Sequence, residues 1–160
     1  MNIKKLKPDQ FRNIIFGAED SLVTTVGVLF GISTTIQDRP TFLTTAVVVI
    51  AVAALSMGAG AFLSETSEKE LKKGKSQTQP IVDAISMLFS YVLAGFIPLT
   101  PYLILGPSGG RIVSVLVTLV ALFVLGYLPG KKIKSGLRMA VIAGIAILVG
   151  YLIGSFMPLE

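Results

Sequence analysis

Residues 41–64, TFLTTAVVVIAVAALSMGAGAFLS, decide the fold, because they run for 24 residues without a charged side chain. A helix needs about 20 mostly apolar residues to cross the roughly 30 Å hydrocarbon core of a bilayer. Similar apolar stretches at about 13–36, 81–105, 111–129 and 137–157 leave only short connections between them. The sequence therefore predicts an all-α polytopic membrane protein with five transmembrane helices, in which residues 1–160 form a single transmembrane domain.

The composition agrees with a membrane protein and limits the chemistry that the chain can perform. Hydrophobic residues make up 52% and charged residues only 14%, with a mean hydropathy of +0.79, whereas soluble domains carry about 25% charged residues. The chain has no cysteine and no histidine, so a metal or proton site must use carboxylates, methionine sulfur, hydroxyls or backbone carbonyls. Nothing resembles an activated nucleophile or a cofactor loop, so we expect no enzyme and no permanently bound cofactor.

The basic residues predict the orientation in the membrane. Twelve of the 14 basic residues fall in one alternate set of connections, which the positive-inside rule places in the cytoplasm. The N-terminus is then cytoplasmic, and nucleic acid is a poor partner because these charges face lipid headgroups. A compact chain without an obvious organelle signal suggests a prokaryotic plasma membrane. The twelve residues are Lys4, Lys5, Lys7, Arg12, Lys69, Lys72, Lys73, Lys75, Lys131, Lys132, Lys134 and Arg138.

Glycine and proline positions indicate how the helices pack. Pro98 falls inside the third span and is expected to kink or unwind it. Gly27 and Gly31 have the spacing that lets membrane helices approach closely. We interpret this pair as packing within the bundle, with a dimer seam as the alternative.

The connection at 65–79, which contains Glu65, Glu68 and Glu70, mixes acidic and basic residues. One interpretation is a solvated extension of the second helix, and the other is a group of carboxylates at the entrance of a cation pathway. Asp83, at the cytoplasmic start of the third span, fits such an entrance and equally fits a helix cap.

Asp20 lies about seven residues inside the first span, or roughly 10 Å deep at 1.5 Å per residue. Ionised groups at that depth cost a few kcal/mol and usually face a cavity, a partner or a substrate. Glu19, one residue nearer the surface, reaches the interface more easily. Asp20 also begins a narrow small and polar stripe that continues through Thr24, Gly27 and Gly31.

Met57 lies at a similar depth in the second span, which runs in the opposite direction. A carboxylate beside a thioether suits transition metals, because Mg²⁺ and Ca²⁺ prefer oxygen ligands whereas softer ions accept sulfur. Packing alone is the competing explanation for a methionine in a membrane helix.

Several motifs together resemble the vacuolar iron transporter family. They are FGAEDSLVTTVGVLFGIS at 16–33, ALSMGAGAFLS at 54–64, LAGFIPL at 93–99, VSVLVTLVALFVLGYLPG at 113–130 and GIAILVGYLIG at 144–154. The resemblance implies a five-helix homodimer that moves Fe²⁺, and often Mn²⁺, out of the cytosol in exchange for protons. It also implies that Asp20 and Met57 line the metal path near the dimer axis.

The chain departs from the family pattern in three places. Ser21 replaces the glycine that follows the aspartate, with Glu19 in place of the usual asparagine, and Ala61 replaces the glutamate of the second motif. The long acidic hairpin of many members is reduced to the short connection at 65–79. Glu19 and Glu65 are candidates to compensate for Ala61.

The sequence thus predicts a proton-coupled exporter of Fe²⁺ and Mn²⁺ with Asp20, Met57, Glu19 and Glu65 as metal ligands. Divalent metal ions, protons, the lipid bilayer and a second copy of the chain are its expected partners. Two alternatives stay open, namely the same scaffold with a changed substrate and a non-transporting protein that binds metal for sensing or assembly.

Overall fold

The chain folds into four helices over the residues that the computed structural model describes, which are 8–73, 79–129 and 131–156. Each helix contains a stretch long and apolar enough to cross a membrane, and no strand occurs in these ranges. The predicted all-helical, multi-pass membrane fold is therefore confirmed. The helices are α1 (Pro8–Thr35), α2 (Arg39–Leu71), α3 (Pro80–Tyr127) and α4 (Ile133–Phe156).

The number of helices differs from the predicted five, because the predicted spans 81–105 and 111–129 belong to one helical element, α3. This element is interrupted at Gly106, whose backbone has φ 77° and ψ 177°. Such a conformation is accessible to glycine because it has no Cβ. We call residues 80–105 the first arm of α3 and residues 107–127 its second arm.

The two arms of α3 pack side by side. The Ser114 hydroxyl donates a 2.6 Å hydrogen bond to the carbonyl of Pro98, 16 residues earlier. In a continuous helix these residues would lie about 24 Å apart, so the chain reverses direction between them. The reversal at Gly106 thus lies in the predicted connection between the spans 81–105 and 111–129, whereas the interruption expected at Pro98 is not found, because the backbone of Pro98 remains helical.

Helix α2 has a well-defined start and continues beyond the predicted end at residue 64. Asp38 caps its first turn, accepting hydrogen bonds from the Thr41 hydroxyl at 2.5 Å and the Thr41 amide at 3.0 Å. These two bonds hold the pKa of Asp38 below its ordinary value, so the cap weakens as the pH falls through that lowered pKa. At the other end, Glu68 and Lys72 form an ion pair at 2.6 Å, and the helix ends at Leu71.

Helix α1 is the centre of the bundle, since it packs against α2, α3 and α4. Its contact with α4 is the closest. A Cβ atom placed on Gly150 would lie 2.1 Å from the carbonyl oxygen of Gly27, and one on Gly154 would lie 2.5 Å from that of Gly31. Gly27 and Gly31 therefore face α4 of the same chain.

Two apolar clusters fill the spaces between the helices. The outer cluster joins α1, α2 and the first arm of α3 near the α1–α2 connection, and the Phe42 and Tyr102 rings in it lie 4.8 Å apart. The inner cluster joins α1, α4 and the two arms of α3. Its buried residues are Leu22, Ala94, Leu122 and Ala143. Large apolar side chains on the outward faces of α2, α3 and α4 are exposed, as lipid contact requires.

Gly150→Ala is expected to lower the melting temperature of the detergent-purified protein, measured by circular dichroism at 222 nm. The added methyl group must push α1 and α4 apart, and overpacking of this kind costs about 1–3 kcal/mol. Gly144→Ala is the matched control on the same helix, because a Cβ there meets nothing within 4 Å. Equal melting temperatures for the two variants would contradict the close α1–α4 contact.

Candidate metal-binding cavity

A cavity of about 690 Å³ opens between α1, α2 and the first arm of α3. It brings together three of the residues predicted as metal ligands, Asp20, Met57 and Glu65. Ala61, where the family pattern has a glutamate, also lines it. The remaining lining residues are Arg12, Asn13, Phe16, Thr24, Ala53, Ser56, Gly60, Ser64, Met87 and Tyr91.

The helical repeat explains why these residues share one wall. On α1, Asn13, Asp20 and Thr24 are separated by seven and four residues, which are two turns and one turn of helix. Asp20 is partly buried, so its carboxylate reaches the cavity without facing bulk solvent. The next residues of the predicted stripe, Gly27 and Gly31, pack against α4 instead.

Helix α2 forms the opposite wall with small side chains. Met57 lies there between Ser56 and Gly60, and it is the largest side chain of that group. The predicted antiparallel arrangement therefore places the Asp20 carboxylate and the Met57 thioether in the same cavity. Glu65, two turns further along α2, lies at the end of the cavity where Arg12 approaches its Oε1 to 3.5 Å.

The other predicted residues lie outside this cavity. Glu19 does not line the cavity, and it interacts electrostatically with the neighbouring Asp20 and with Arg138 of α4. Glu68 pairs with Lys72, and Glu70 is exposed on the last turns of α2. Asp83 is 1% exposed, and its Oδ2 accepts a 3.0 Å hydrogen bond from the backbone amide of Gln79, so it does cap α3.

Sequence reasoning missed two lining residues. Asn13 is 4% exposed, and its position two turns before Asp20 was a usable signal. Tyr91 is 1% exposed and comes from α3, and its carbonyl accepts a 2.6 Å hydrogen bond from Ser21. No feature of the sequence connects Tyr91 with α1, because the contact joins residues 70 positions apart.

The cavity supplies a carboxylate and a thioether near its middle and a second carboxylate at its end. Within the described ranges, no three acidic residues lie close enough together to hold a metal ion. Transition metals in oxygen-rich sites commonly take up to six ligands. The cavity thus offers two carboxylates and the Met57 thioether, beside the hydroxyl and amide groups of its lining.

The solvent access of the cavity can be measured directly, because the chain contains no cysteine of its own. Ser56→Cys places a thiol on the cavity wall, and it should react rapidly with a charged, membrane-impermeant methanethiosulfonate reagent. Ser114→Cys is the matched control, because Ser114 is 0% exposed between the two arms of α3. Equal modification rates, followed by mass spectrometry, would show that the cavity is not open to water.

Comparisons with known proteins identify relatives of this chain. The model of the VIT family matches residues 11–78 and 70–155. Vacuolar iron transporter 1 of Arabidopsis thaliana is 25% identical over 202 aligned positions, which cover 84% of this chain and 81% of that protein. The corresponding protein of Oryza sativa is 24% identical, covering 88% of this chain and 82% of the relative.

A yeast relative matches a shorter part. Protein CCC1 of Saccharomyces cerevisiae is 30% identical over 83 positions, covering 44% of this chain and 26% of that protein. The plant alignment has 202 positions although this chain has 160 residues, so the relative carries residues that are missing here. The family match restarts at 70–78, within the short connection between α2 and α3.

The members of this family are transporters, which confirms the prediction that the protein is not an enzyme. The match extends over nearly the whole chain, with all four helices inside it or overlapping it. The chain belongs to the VIT family.

Proposed function

We propose that the protein exports Fe²⁺, with Mn²⁺ as a second substrate, from the cytosol in exchange for protons. The observation that carries this proposal is the shared cavity, in which Asp20 and Met57 form opposite walls. Membership of the VIT family and the names of the plant relatives support metal transport as the activity.

Asp20 is the proposed exchange site. A carboxylate binds a divalent cation or a proton but not readily both, and this mutual exclusion is the minimum requirement for antiport. The carboxylate is partly buried within an apolar helix, so carrying a charge without a cation nearby is costly. Each departure of the metal is then followed by uptake of a proton.

Met57 is the proposed selectivity residue. Its thioether is a soft ligand that Fe²⁺ and Mn²⁺ accept more readily than Mg²⁺, which prefers six oxygen ligands and retains its water. The neighbouring Ser56 and Gly60 are small, so the sulfur can approach an ion in the cavity without a steric barrier.

A second copy of the chain completes the proposed site. In a two-fold symmetric dimer, each residue of the cavity wall occurs twice, so two Asp20 carboxylates and two Met57 sulfurs are available to one ion. The exposed positions of Ser56 and Gly60 on α2 support this arrangement.

The ends that the fold brings together support the proposed orientation. Arg12 at the start of α1 contacts Glu65 at the end of α2, and Glu19 interacts with Arg138 near the start of α4. The basic segments thus gather at one end of the bundle, which the positive-inside rule assigns to the cytoplasm. With α3 folded back at Gly106, the chain crosses the membrane five times.

Ala61 supports a second candidate, transport of a different divalent cation on the same scaffold. Its side chain adds a methyl group to the cavity wall where the family pattern supplies a carboxylate. The prediction of a prokaryotic plasma membrane stays a prediction, and the named relatives are vacuolar proteins.

Asp20→Asn is expected to abolish metal flux while the protein stays folded, because the amide is nearly the same shape but cannot bind a divalent ion or exchange a proton. The measurement is anaerobic Fe²⁺ uptake into proteoliposomes that contain a pH-sensitive dye. Glu19→Gln is the matched control, since Glu19 is adjacent to Asp20 in the sequence but does not line the cavity. Full flux in Asp20→Asn would remove this residue from the mechanism.

Met57→Leu is expected to preserve flux and packing while weakening discrimination against Mg²⁺, because leucine replaces the soft ligand by an apolar group of similar volume. Competition of Mg²⁺ with Fe²⁺ uptake in the same vesicles provides the measurement. Unchanged competition would assign Met57 to packing alone.

A further inference from the structure

A second polar cluster lies beside the cytoplasmic end of the cavity, where α1, α2 and α3 meet. It consists of Asn13, Glu65 and Asp83, which are 4%, 5% and 1% exposed. Two carboxylates and an amide at this level of burial require compensation, because a buried charge without a partner costs several kcal/mol.

Asp83 shows that the cluster has unused binding capacity. Its Oδ2 caps α3 by accepting the amide of Gln79, but its buried Oδ1 has no hydrogen-bond partner among the described residues. Buried polar atoms in folded proteins nearly always have a partner. A buried carboxylate oxygen without a hydrogen-bond partner indicates that a cation or a proton binds to it.

Glu65 connects this oxygen with the cavity. Its side chain lines the cavity, and it interacts with Asn13 and electrostatically with Asp83. The two carboxylates repel each other across the buried space. A cation between them would remove the repulsion and would reach them through the cavity.

Arg12 provides only part of the needed positive charge. Its guanidinium approaches Glu65 Oε1 at 3.5 Å, the long limit of a hydrogen bond, and its side chain is 67% exposed. The pair joins this exposed guanidinium to a buried carboxylate, so Glu65 needs another positive charge when Arg12 moves aside. A cation bound between the two carboxylates would supply that charge.

We propose that Glu65, Asp83 and the Asn13 amide oxygen bind a divalent cation of the oxygen-preferring class, and that Arg12 occupies its place as a counter-ion when the cation is absent. The donors are all oxygen atoms, unlike the Asp20 and Met57 site, so this site selects harder ions. Only its role as an access site for transport rests on the proposed function; cation binding itself is measured separately.

The test uses the full chain, purified in detergent, with Mn²⁺ as the probe and electron paramagnetic resonance to count free Mn²⁺. The background is the double variant Asp20→Asn with Met57→Leu, which removes the other site. One Mn²⁺ per chain should still bind. Adding Asp83→Asn or Glu65→Gln should weaken that binding at least tenfold, roughly the lower limit for removing a supporting group from a metal site.

Asp38→Asn is the matched control for Asp83→Asn. Both aspartates cap a helix, and asparagine caps about as well, but Asp38 lies at the opposite end of α2. Its substitution should leave Mn²⁺ binding unchanged. If Asp83→Asn fails to fold by circular dichroism, Glu65→Gln decides, because it keeps the cap of α3 intact.

The variant Arg12→Ala distinguishes a cation-binding site from a cluster that only stabilises the fold. Removing the competing guanidinium should lower the Kd for Mn²⁺ in the same background, whereas a structural ion pair predicts no change. The proposal is overturned if the background binds no Mn²⁺, if the Glu65 and Asp83 variants bind as the background does, or if Arg12→Ala binds no more tightly. None of these results affects the flux test of Asp20, so the two proposals fail independently.

Discussion

The contact between α1 and α4 is the constraint on which the rest of the structure depends. Gly150 lies so close to the Gly27 carbonyl that no side chain fits between the helices. Lipid tails are as apolar as the helices, so the hydrophobic effect does not drive helix association in the membrane, and close packing of this kind does so instead. With one side of α1 held against α4 and another against α3, its remaining face is directed toward α2, and that face carries Asp20 and Asn13.

The cavity exists because α1 and α2 make far fewer contacts with each other than either makes with α3. Small residues on the facing side of α2 leave the space unfilled, and Met57 is the exception among them. A transport site needs unfilled space of this kind, which a soluble core would avoid because cavities are destabilising.

Much of this arrangement could be predicted from the sequence. The length of apolar stretches sets the helices, and counting residues from opposite ends of antiparallel spans places Asp20 and Met57 at one depth. The interaction of Glu19 with Arg138 of α4 could not be predicted, because it joins residues that are distant in sequence. The cap that Asp83 forms was one of two predicted alternatives, whereas the interactions of Glu65 with Arg12 and Asp83 join helix ends that are distant in sequence.

The interruption in α3 shows which local rules held. The reversal lies at Gly106, in the predicted connection between the spans 81–105 and 111–129, whereas the helical backbone passes through Pro98. Proline removes one hydrogen bond, which neighbouring groups in a bundle can replace. Gly106 has a positive φ, and glycine adopts such a conformation without steric cost.

The outer cluster also determines how α2 is held against the other helices. Helix α2 is anchored near its start, where Phe42 packs on Tyr102, while much of its other half borders the cavity. That half also packs on α3, where a Cβ atom placed on Gly58 would lie 3.2 Å from the Leu88 side chain. The width of the cavity between α1 and α2 is therefore set by α3, which both helices contact, rather than by their direct contact with each other.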